Sequence, residues 1–423
     1  MTDSFARTDG STDVPCDLYK YCGGSWAGII NKLDYIQETG FGAIQIPPVI
    51  EYPPRYQNMY MNENFGTAED LKKLADELHK RDMYLMVDVV INDMAQAIDG
   101  TMEDNPPPTI DWTKLIPFND EKYYHPYCKI TDWSDPENYQ NCWFGAEVVA
   151  LPDLKTEDDT VVSMNQDCIK ELVGNYSIDG LRIDATKHVD DAYLTSFGEA
   201  AGIFTMGEVY TDDAPAAFTA GNMPGLAQMV STVKDGCKDF TLLGIFLENQ
   251  DIPRFASLID DIALAKNAMA FTILTDGIPI EFQGQEQHLT GDYSPYNRDA
   301  IWKTGYNTNV SLYKLTAALN KPRNHAISLD NTYISNHSKE LYLDGSTYAT
   351  SKGSEGSQIV SVFSNQGSKG GAYQLAPSEE FAPGTEVMEI LNCKKVTADN
   401  VGNITVEMGA GEPKVFFPVM NLN

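Results

Sequence analysis

Hydrophobic and polar positions change their period several times along the chain. From Thr67 onward apolar residues recur every three to four positions, with Leu71, Leu74 and Leu78 on one face and Thr67 as a plausible N-cap. That pattern predicts a helix, and a second one is predicted around Trp26–Gln37. Between them Ala43-Ile-Gln-Ile46 reads as a strand, and Tyr84–Val90 is a continuous apolar run of the kind buried parallel strands carry. Residues 93–160 lose any sustained period. They hold Pro106-Pro-Pro108, many Asp and Asn, and scattered aromatics, which predicts a loop-rich insertion. Strand–helix alternation resumes over 161–328. From 329 the pattern becomes short alternating runs, such as Gln358-Ile-Val-Ser-Val-Phe363 and Lys414-Val-Phe-Phe417, punctuated by Gly and Pro.

This order predicts an α/β chain: a (β/α)8 barrel over 1–92 and 161–328, interrupted by the insertion at 93–160, with a C-terminal antiparallel β-sandwich over 329–423. No internal repeat or low-complexity tract stands out.

Several strand-like runs end in carboxylates. In Gly180-Leu-Arg-Ile-Asp184, alternate side chains share a face, so Arg182 and Asp184 point together while Leu181 and Ile183 point away. An Arg beside a carboxylate keeps it ionised, fit for a nucleophile or an electrostatic stabiliser. Alone, the pair reads equally well as a helix cap and a structural ion pair. Two further runs end alike: Phe204-Thr-Met-Gly-Glu-Val209 places Glu208 at its end, and Leu242–Asp251 places Asp251 there. Carboxylates gathered at the C-terminal ends of barrel strands form active sites. Retaining cleavage of a glycosidic bond needs two of them about 5–5.5 Å apart.

These runs resemble the fungal α-amylases of the α-amylase glycoside hydrolase family. The resemblance extends over most of the chain: Phe5-Ala-Arg-Thr-Asp-Gly-Ser-Thr12, Tyr21-Cys-Gly-Gly24, Leu33-Asp-Tyr-Ile36, Tyr84–Val90, Leu151-Pro-Asp-Leu154, Asn175–Gly180, Arg254-Phe-Ala-Ser257 and Gln283-Gly-Gln-Glu-Gln287. It implies Asp184 as nucleophile, Glu208 as general acid/base and Asp251 as transition-state stabiliser. Arg182 matches the Arg that holds the nucleophile, and Lys187 and His188 match sugar-site residues beyond the cleavage point. Arg298 matches a sugar-binding Arg; its plainer reading is a surface charge at a helix start.

The resemblance also implies a structural calcium with oxygen ligands, as a hard cation requires. Asn92 and Asp153 match its side-chain ligands, and Gln140 and His188 match positions that contribute backbone carbonyls. Loop capping is the plainer reading of Asn92 and Asp153. The sugar-binding positions depart from the family in three places. Asp93 and Gln250 stand where the family has His residues that donate to sugar hydroxyls. Gln250 can still donate through its amide, whereas an ionised Asp93 only accepts. The segment Val49–Tyr60 is short and lacks the family's Tyr-rich platform, for which Tyr52, Tyr56 or Tyr60 could substitute. Two segments also fall short of the family: before Phe5, where the first barrel strand belongs, and between Asp213 and Thr241. Two explanations stay open, an incomplete barrel with an open edge or a sequence lacking coding segments.

Composition narrows the partners. Lys+Arg number 30 against 61 Asp+Glu, a net charge of −31, which argues against nucleic acid and anionic membrane surfaces. No apolar run is long enough to span a membrane. The expected partner is an α-glucan or maltooligosaccharide, with the chain acting as a monomer. Of seven cysteines, none forms a metal-type pair. Cys16 and Cys22, and Cys128 and Cys142, could close loops, and both pairs match disulfides of the fungal amylases. Cys237 and Cys393 match half-cystines whose partners are missing, and Cys168 is additional. Four sequons, at Asn175, Asn309, Asn336 and Asn403, are compatible with glycosylation and secretion. An extracellular or cell-wall location follows by resemblance, yet Met1-Thr-Asp-Ser-Phe5 shows neither a basic n-region nor an apolar h-region. Either a signal has been removed or the chain is not exported.

Three functions follow. The first is α-amylase-type retaining hydrolysis of α-1,4-glucosidic bonds in starch-like glucans, with Ca2+ as cofactor. The second is 4-α-glucanotransfer by the same double displacement, motivated by Asp93 and Gln250 and by Tyr124–Trp133, which resembles the fungal cell-wall α-glucanotransferases. The third is a catalytically impaired glucan-binding or vestigial homologue, motivated by the short segments.

Overall fold

Four strands, Ala43–Ile46, Tyr84–Val89, Gly180–Ile183 and Phe204–Gly207, lie side by side in chain order and all run parallel. They belong to a computed structural model that describes residues 1–51, 58–209, 218–219, 221–378 and 380–421, the side chains of residues 51 and 58–60 excepted. The chain divides into two compact units. Met1–Ser11, Gly23–Leu33 and Gly42–Thr211 form the first, and Thr12–Cys22, Asp34–Phe41 and Asp212–Asn423 form the second.

In the first unit, the helix Ala68–His79 starts as the sequence predicts. Thr67 accepts from the Asp70 amide while the Asp70 carboxylate receives the Thr67 amide, a reciprocal capping box. Leu71, Leu74 and Leu78 are wholly buried, each contributing about 1.5–3 kcal/mol of apolar burial. The predicted helix Trp26–Gln37 is instead two short ones, Trp26–Ile30 in this unit and Leu33–Gln37, which from Asp34 onward belongs to the second. Asn31 is the C-cap of the first helix, and its side-chain amide donates to the Thr8 carbonyl at 3.2 Å. The aperiodic insertion gains order from a hairpin, Gln96–Thr101 against Ala146–Ala150. A small core of Met94, Leu115, Phe118, Tyr124 and Trp143 and the Cys128–Cys142 disulfide complete it.

The second unit holds two more parallel strands, Gly244–Phe246 and Ile278–Ile280, and the helix Ile262–Leu274, buried except at Ile262 and Lys266. Its C-terminal part is the expected antiparallel sandwich. Six strands run in the order Lys339–Leu343, Thr347–Lys352, Ile359–Ser364, Lys414–Pro418, Glu386–Glu389, Lys394–Thr397, and Tyr373–Leu375 pairs with Val406–Met408 in a second sheet. Leu341, Val360, Val362, Val387, Val406 and Phe416 pack in its interior. The Cys16–Cys22 disulfide closes a loop in this unit.

Four parallel strands in the first unit and two in the second are thus present among the described residues. Among the described residues none lies before Phe5, where Thr2–Phe5 is helical, and none lies between Gly207 and Gly244, where Met223–Gly236 is an α-helix and Phe240–Leu242 a 3-10 turn. Tyr52, Tyr56 and the side chain of Tyr60 lie outside the described residues.

Candidate active site

Arg182 is the hub of the first unit's polar cluster, only 6% exposed. Register sets Asp88 directly beside it on the neighbouring strand. Its Nη1 donates to both oxygens of Asp88 at 2.9 Å and to Asp184 Oδ1 at 2.5 Å. Nη2 pairs with Glu208 Oε1 at 2.5 Å. The Ala185 amide adds a bond to Glu208 Oε2 at 3.2 Å. Asp184 and Glu208 sit just past their strand ends, and backbone bonds to Val89 and Ile183, at 2.9 and 2.8 Å, fix them there. Both keep part of their carboxylates open to solvent, while Asp88 is buried. Burial pushes Asp88 up to about 7 against the pull of Arg182. Burial works against the charge of Arg182 too, but the three carboxylates overcome it and hold the guanidinium above its ordinary value.

Next to this cluster in sequence lies a buried oxygen-rich cradle. Asn92 and Asp153 are each 1% exposed. A backbone bridge joins Asp93 to Asp153, and the Leu154 amide donates to the Asn92 carbonyl at 2.8 Å. Both polar atoms of the Asn92 side chain and Asp153 Oδ1 are buried and make no hydrogen bond of good geometry, although Asn92 lies close enough to Asp93 and Asp153 to pull both carboxyls down against burial. Such atoms cost about 1–3 kcal/mol each unless something else coordinates them. The other Asp153 oxygen accepts from His125 Nδ1 at 2.7 Å, and His125 Nε2 meets Glu157 at 2.9 Å. Gln140 and His188 come from segments that touch: Gln140 Nε2 donates to the Val189 carbonyl at 3.0 Å, and His188 Nδ1 to Tyr139 O at 2.8 Å. The Asn92 amide oxygen and the Asp153 carboxylate are donors of the kind a hard cation takes. Among the described residues no three His, Cys, Asp or Glu side chains gather as a metal-binding group. Asp93 is 4% exposed. Burial, then the charges of Asp184 and Asp153, push its carboxyl well above the usual range, favouring the protonated form that donates.

Lys187 donates to the Trp133 carbonyl at 3.0 Å and stands 4.7 Å over the Tyr139 ring. Trp133 and Phe144, 52% and 48% exposed, contact each other and the His188 ring. These aromatics form an open shelf beside Lys187.

In the second unit, Asp251 lies in a turn that its neighbours shape. The Asp251 amide donates to Asn249 Oδ1 at 2.8 Å. Arg298 Nη2 donates to Asp251 Oδ1 at 2.9 Å and Nε to the Gln250 carbonyl at 3.0 Å, while Asn297 Nδ2 holds the Gln250 and Ile252 carbonyls. Beneath them Glu248 and Arg254 form a buried ion pair at 2.8 Å, and Arg254 Nε donates to the Asn297 carbonyl.

The family profile of the alpha-amylase catalytic domain matches residues 1–218 and 200–332, and that of alpha-amylase domain C matches residues 340–423. The chain belongs to the alpha-amylase family. It is 42% identical to Alpha-amylase 1 of Schwanniomyces occidentalis, over 99% of this chain and 88% of that protein. It is 36% identical to Alpha-amylase mde5 of Schizosaccharomyces pombe, over 99% of this chain and 86% of that one. Among solved structures, an alpha-amylase from Malbranchea cinnamomea is similar at a TM-score of 0.94 and 43% identity, covering 100% of this chain and 96% of its own.

Against the amylase pattern, the structure brings Arg182, Asp184 and Glu208 together, and Asn92, Asp93 and Asp153 together. Lys187 neighbours His188, and Arg298 joins Asp251 and Gln250. Arg298, which also reads as a plain surface charge, is thus tied to a candidate carboxylate. Arg182, counted with the substrate-site residues, turns its guanidinium to three carboxylates. The two expected disulfides form, and Cys168, Cys237 and Cys393 are free. Asn175 and Asn309 are exposed; Asn336 and Asn403 are half-buried, and the Asn336 amide already donates to Thr332 and Ser354. Sequence reasoning gave no role to Asp88, His125, Trp133, Phe144 or the Glu248–Arg254 pair. Asp88 carried a signal as a lone charge within the apolar run Tyr84–Val90, and His125, Trp133 and Arg254 lie within segments that resemble the family.

Proposed function

We propose that this chain is an α-amylase-type retaining glycoside hydrolase that cleaves α-1,4-glucosidic bonds in starch-like glucans. The observation that carries the reading is the single Arg182 fork joining Asp184 and Glu208. Two carboxylates bridged by one guanidinium lie within two hydrogen bonds and the width of the fork. That is compatible with the spacing of about 5–5.5 Å that double displacement needs. Asp184 Oδ attacks the anomeric carbon while Glu208, which must first take up a proton against its pairing with Arg182 Nη2, donates that proton to the departing glycosidic oxygen. Water, deprotonated by Glu208, then releases the sugar with its configuration retained. Asp251, oriented by Arg298, stabilises the cationic transition state; this role rests on the family resemblance.

Asn92, Asp153 and the carbonyls of Gln140 and His188 would hold a calcium ion, which supplies structural cohesion. The buried oxygens of Asn92 and Asp153 support this. Disulfides and exposed sequons at Asn175 and Asn309 support an extracellular or cell-wall location. The barrel, insertion and sandwich boundaries at 93, 161 and 329, and a monomeric state, complete the proposal.

A second reading, 4-α-glucanotransfer by the same residues, is favoured by the exposed Trp133–Phe144 shelf beside Lys187, where an acceptor glucan would compete with water. Incubation of the purified chain with calcium and maltoheptaose, followed by chromatography, separates the readings. Only shorter maltooligosaccharides mean hydrolysis. A ladder above and below the donor means transfer. No product from folded protein contradicts both.

A further inference from the structure

Tyr19 and Tyr296, 277 positions apart, touch on the surface of the second unit. Their rings meet edge to face at 6.3 Å, and their phenol oxygens lie 2.9 Å apart. They are 73% and 57% exposed, and Tyr293, three residues earlier on the same turn as Tyr296, is 64% exposed. Exposed aromatics gathered on one surface, rather than scattered singly, mark a candidate ligand surface. Their supports are built. Tyr19 rides a loop closed by Cys16–Cys22, turned by its own amide bond to Asp17, and anchored where the buried Trp302 donates to the Val14 carbonyl at 2.9 Å. Tyr296 opens the turn whose next two residues, Asn297 and Arg298, are bonded to the Asp251 turn.

We infer that Tyr19 and Tyr296, with Tyr293, form a binding platform for an α-glucan chain, continuous with the Arg298–Asp251 turn. A glucose ring has an apolar C–H face and a rim of hydroxyls. An edge-to-face tyrosine pair offers a matching open ring face and two phenol groups that donate and accept. Three tyrosines are too little area for a stable protein partner, which needs about 800 Å² a side. A net charge of −31 favours a neutral ligand over an anionic one. The inference rests on the proposed α-glucan chemistry for its ligand, but not on turnover.

The test is native electrophoresis of the full chain through gels containing soluble starch or, as a β-linked probe, hydroxyethyl cellulose. Tyr19→Ala, Tyr296→Ala and the double variant are compared with wild type, and melting temperatures confirm folding. Starch is expected to retard wild type, and the double variant is expected to lose about tenfold in affinity, the equivalent of 1.4 kcal/mol. Tyr→Phe at both positions keeps the ring faces and is expected to retain most of the retardation. Equal retardation of wild type and Ala variants overturns the platform, as does absence of retardation in wild type or equal retardation by cellulose. Tyrosine-dependent retardation in a chain that never cleaves maltoheptaose leaves the platform standing and the hydrolase reading fallen. Cleavage with tyrosine-independent retardation does the reverse.

Discussion

Asp88 receives Arg182 Nη1 on both carboxylate oxygens, at 2.9 Å each, from the facing position of the adjacent parallel strand. That grip fixes the guanidinium plane, so the same Nη1 reaches Asp184 and Nη2 reaches Glu208. Asp88→Asn leaves one acceptor oxygen and removes the charge. Turnover of maltooligosaccharide is expected to fall about 100-fold, as when reacting groups are displaced by about 1 Å. The loss should appear in kcat more than in KM. Unchanged kcat would show that Arg182 does not depend on this grip.

Asp88 also sets a pH dependence of stability. Its folded value lies near 7 against an ordinary 3.8. Below 3.8 both folded and unfolded chains hold the proton. Between 3.8 and about 7 only the folded chain does, so this group's contribution to stability is lost as pH rises through that window. The unfolding midpoint of Asp88→Asn, measured relative to wild type, is expected to improve steadily from pH 4 to 7. A constant offset across that range would contradict the assignment.

Much of this was legible in the sequence, and the reason is local. Alternation alone puts Arg182 and Asp184 on one face, and Thr67 with Leu71, Leu74 and Leu78 announces a capped amphipathic helix. The Cys128–Cys142 link needed the family resemblance. Asp88 was not assigned because its partner lies 94 positions away, and only strand register reveals that they face each other. The Tyr19–Tyr296 contact is hidden for the same reason, across 277 positions. Apolar spacing also does not reveal that Trp26–Ile30 and Leu33–Gln37 are separate helices.

Calcium binding is expected to stabilise the fold through Asn92 and Asp153. A ligand at 100 times its dissociation constant adds about 2.7 kcal/mol, so chelation should lower the melting temperature and added calcium should restore it. Asn92→Ala is expected to melt lower and to lose most of that response. A wild-type melting temperature indifferent to chelator and to calcium would remove the ion from the account.

Glu248 and Arg254 are 3% and 0% exposed, and Arg254 also lies 4.1 Å over the Phe282 ring. Glu248→Gln strands a buried guanidinium without its counter-charge. Breaking such a pair costs about 3–5 kcal/mol, to be read as a shift in the urea unfolding midpoint. A shift below about 1 kcal/mol would mean the pair contributes little beyond packing.

The most direct test of the central claim is the anomeric configuration of the first product from maltoheptaose, followed by proton NMR before mutarotation. The Arg182-bridged pair predicts the α anomer first from wild type, and no product from Asp184→Asn under the same conditions. A β anomer appearing first, or unchanged cleavage by Asp184→Asn, would contradict the assignment of Asp184 and Glu208 to a retaining double displacement.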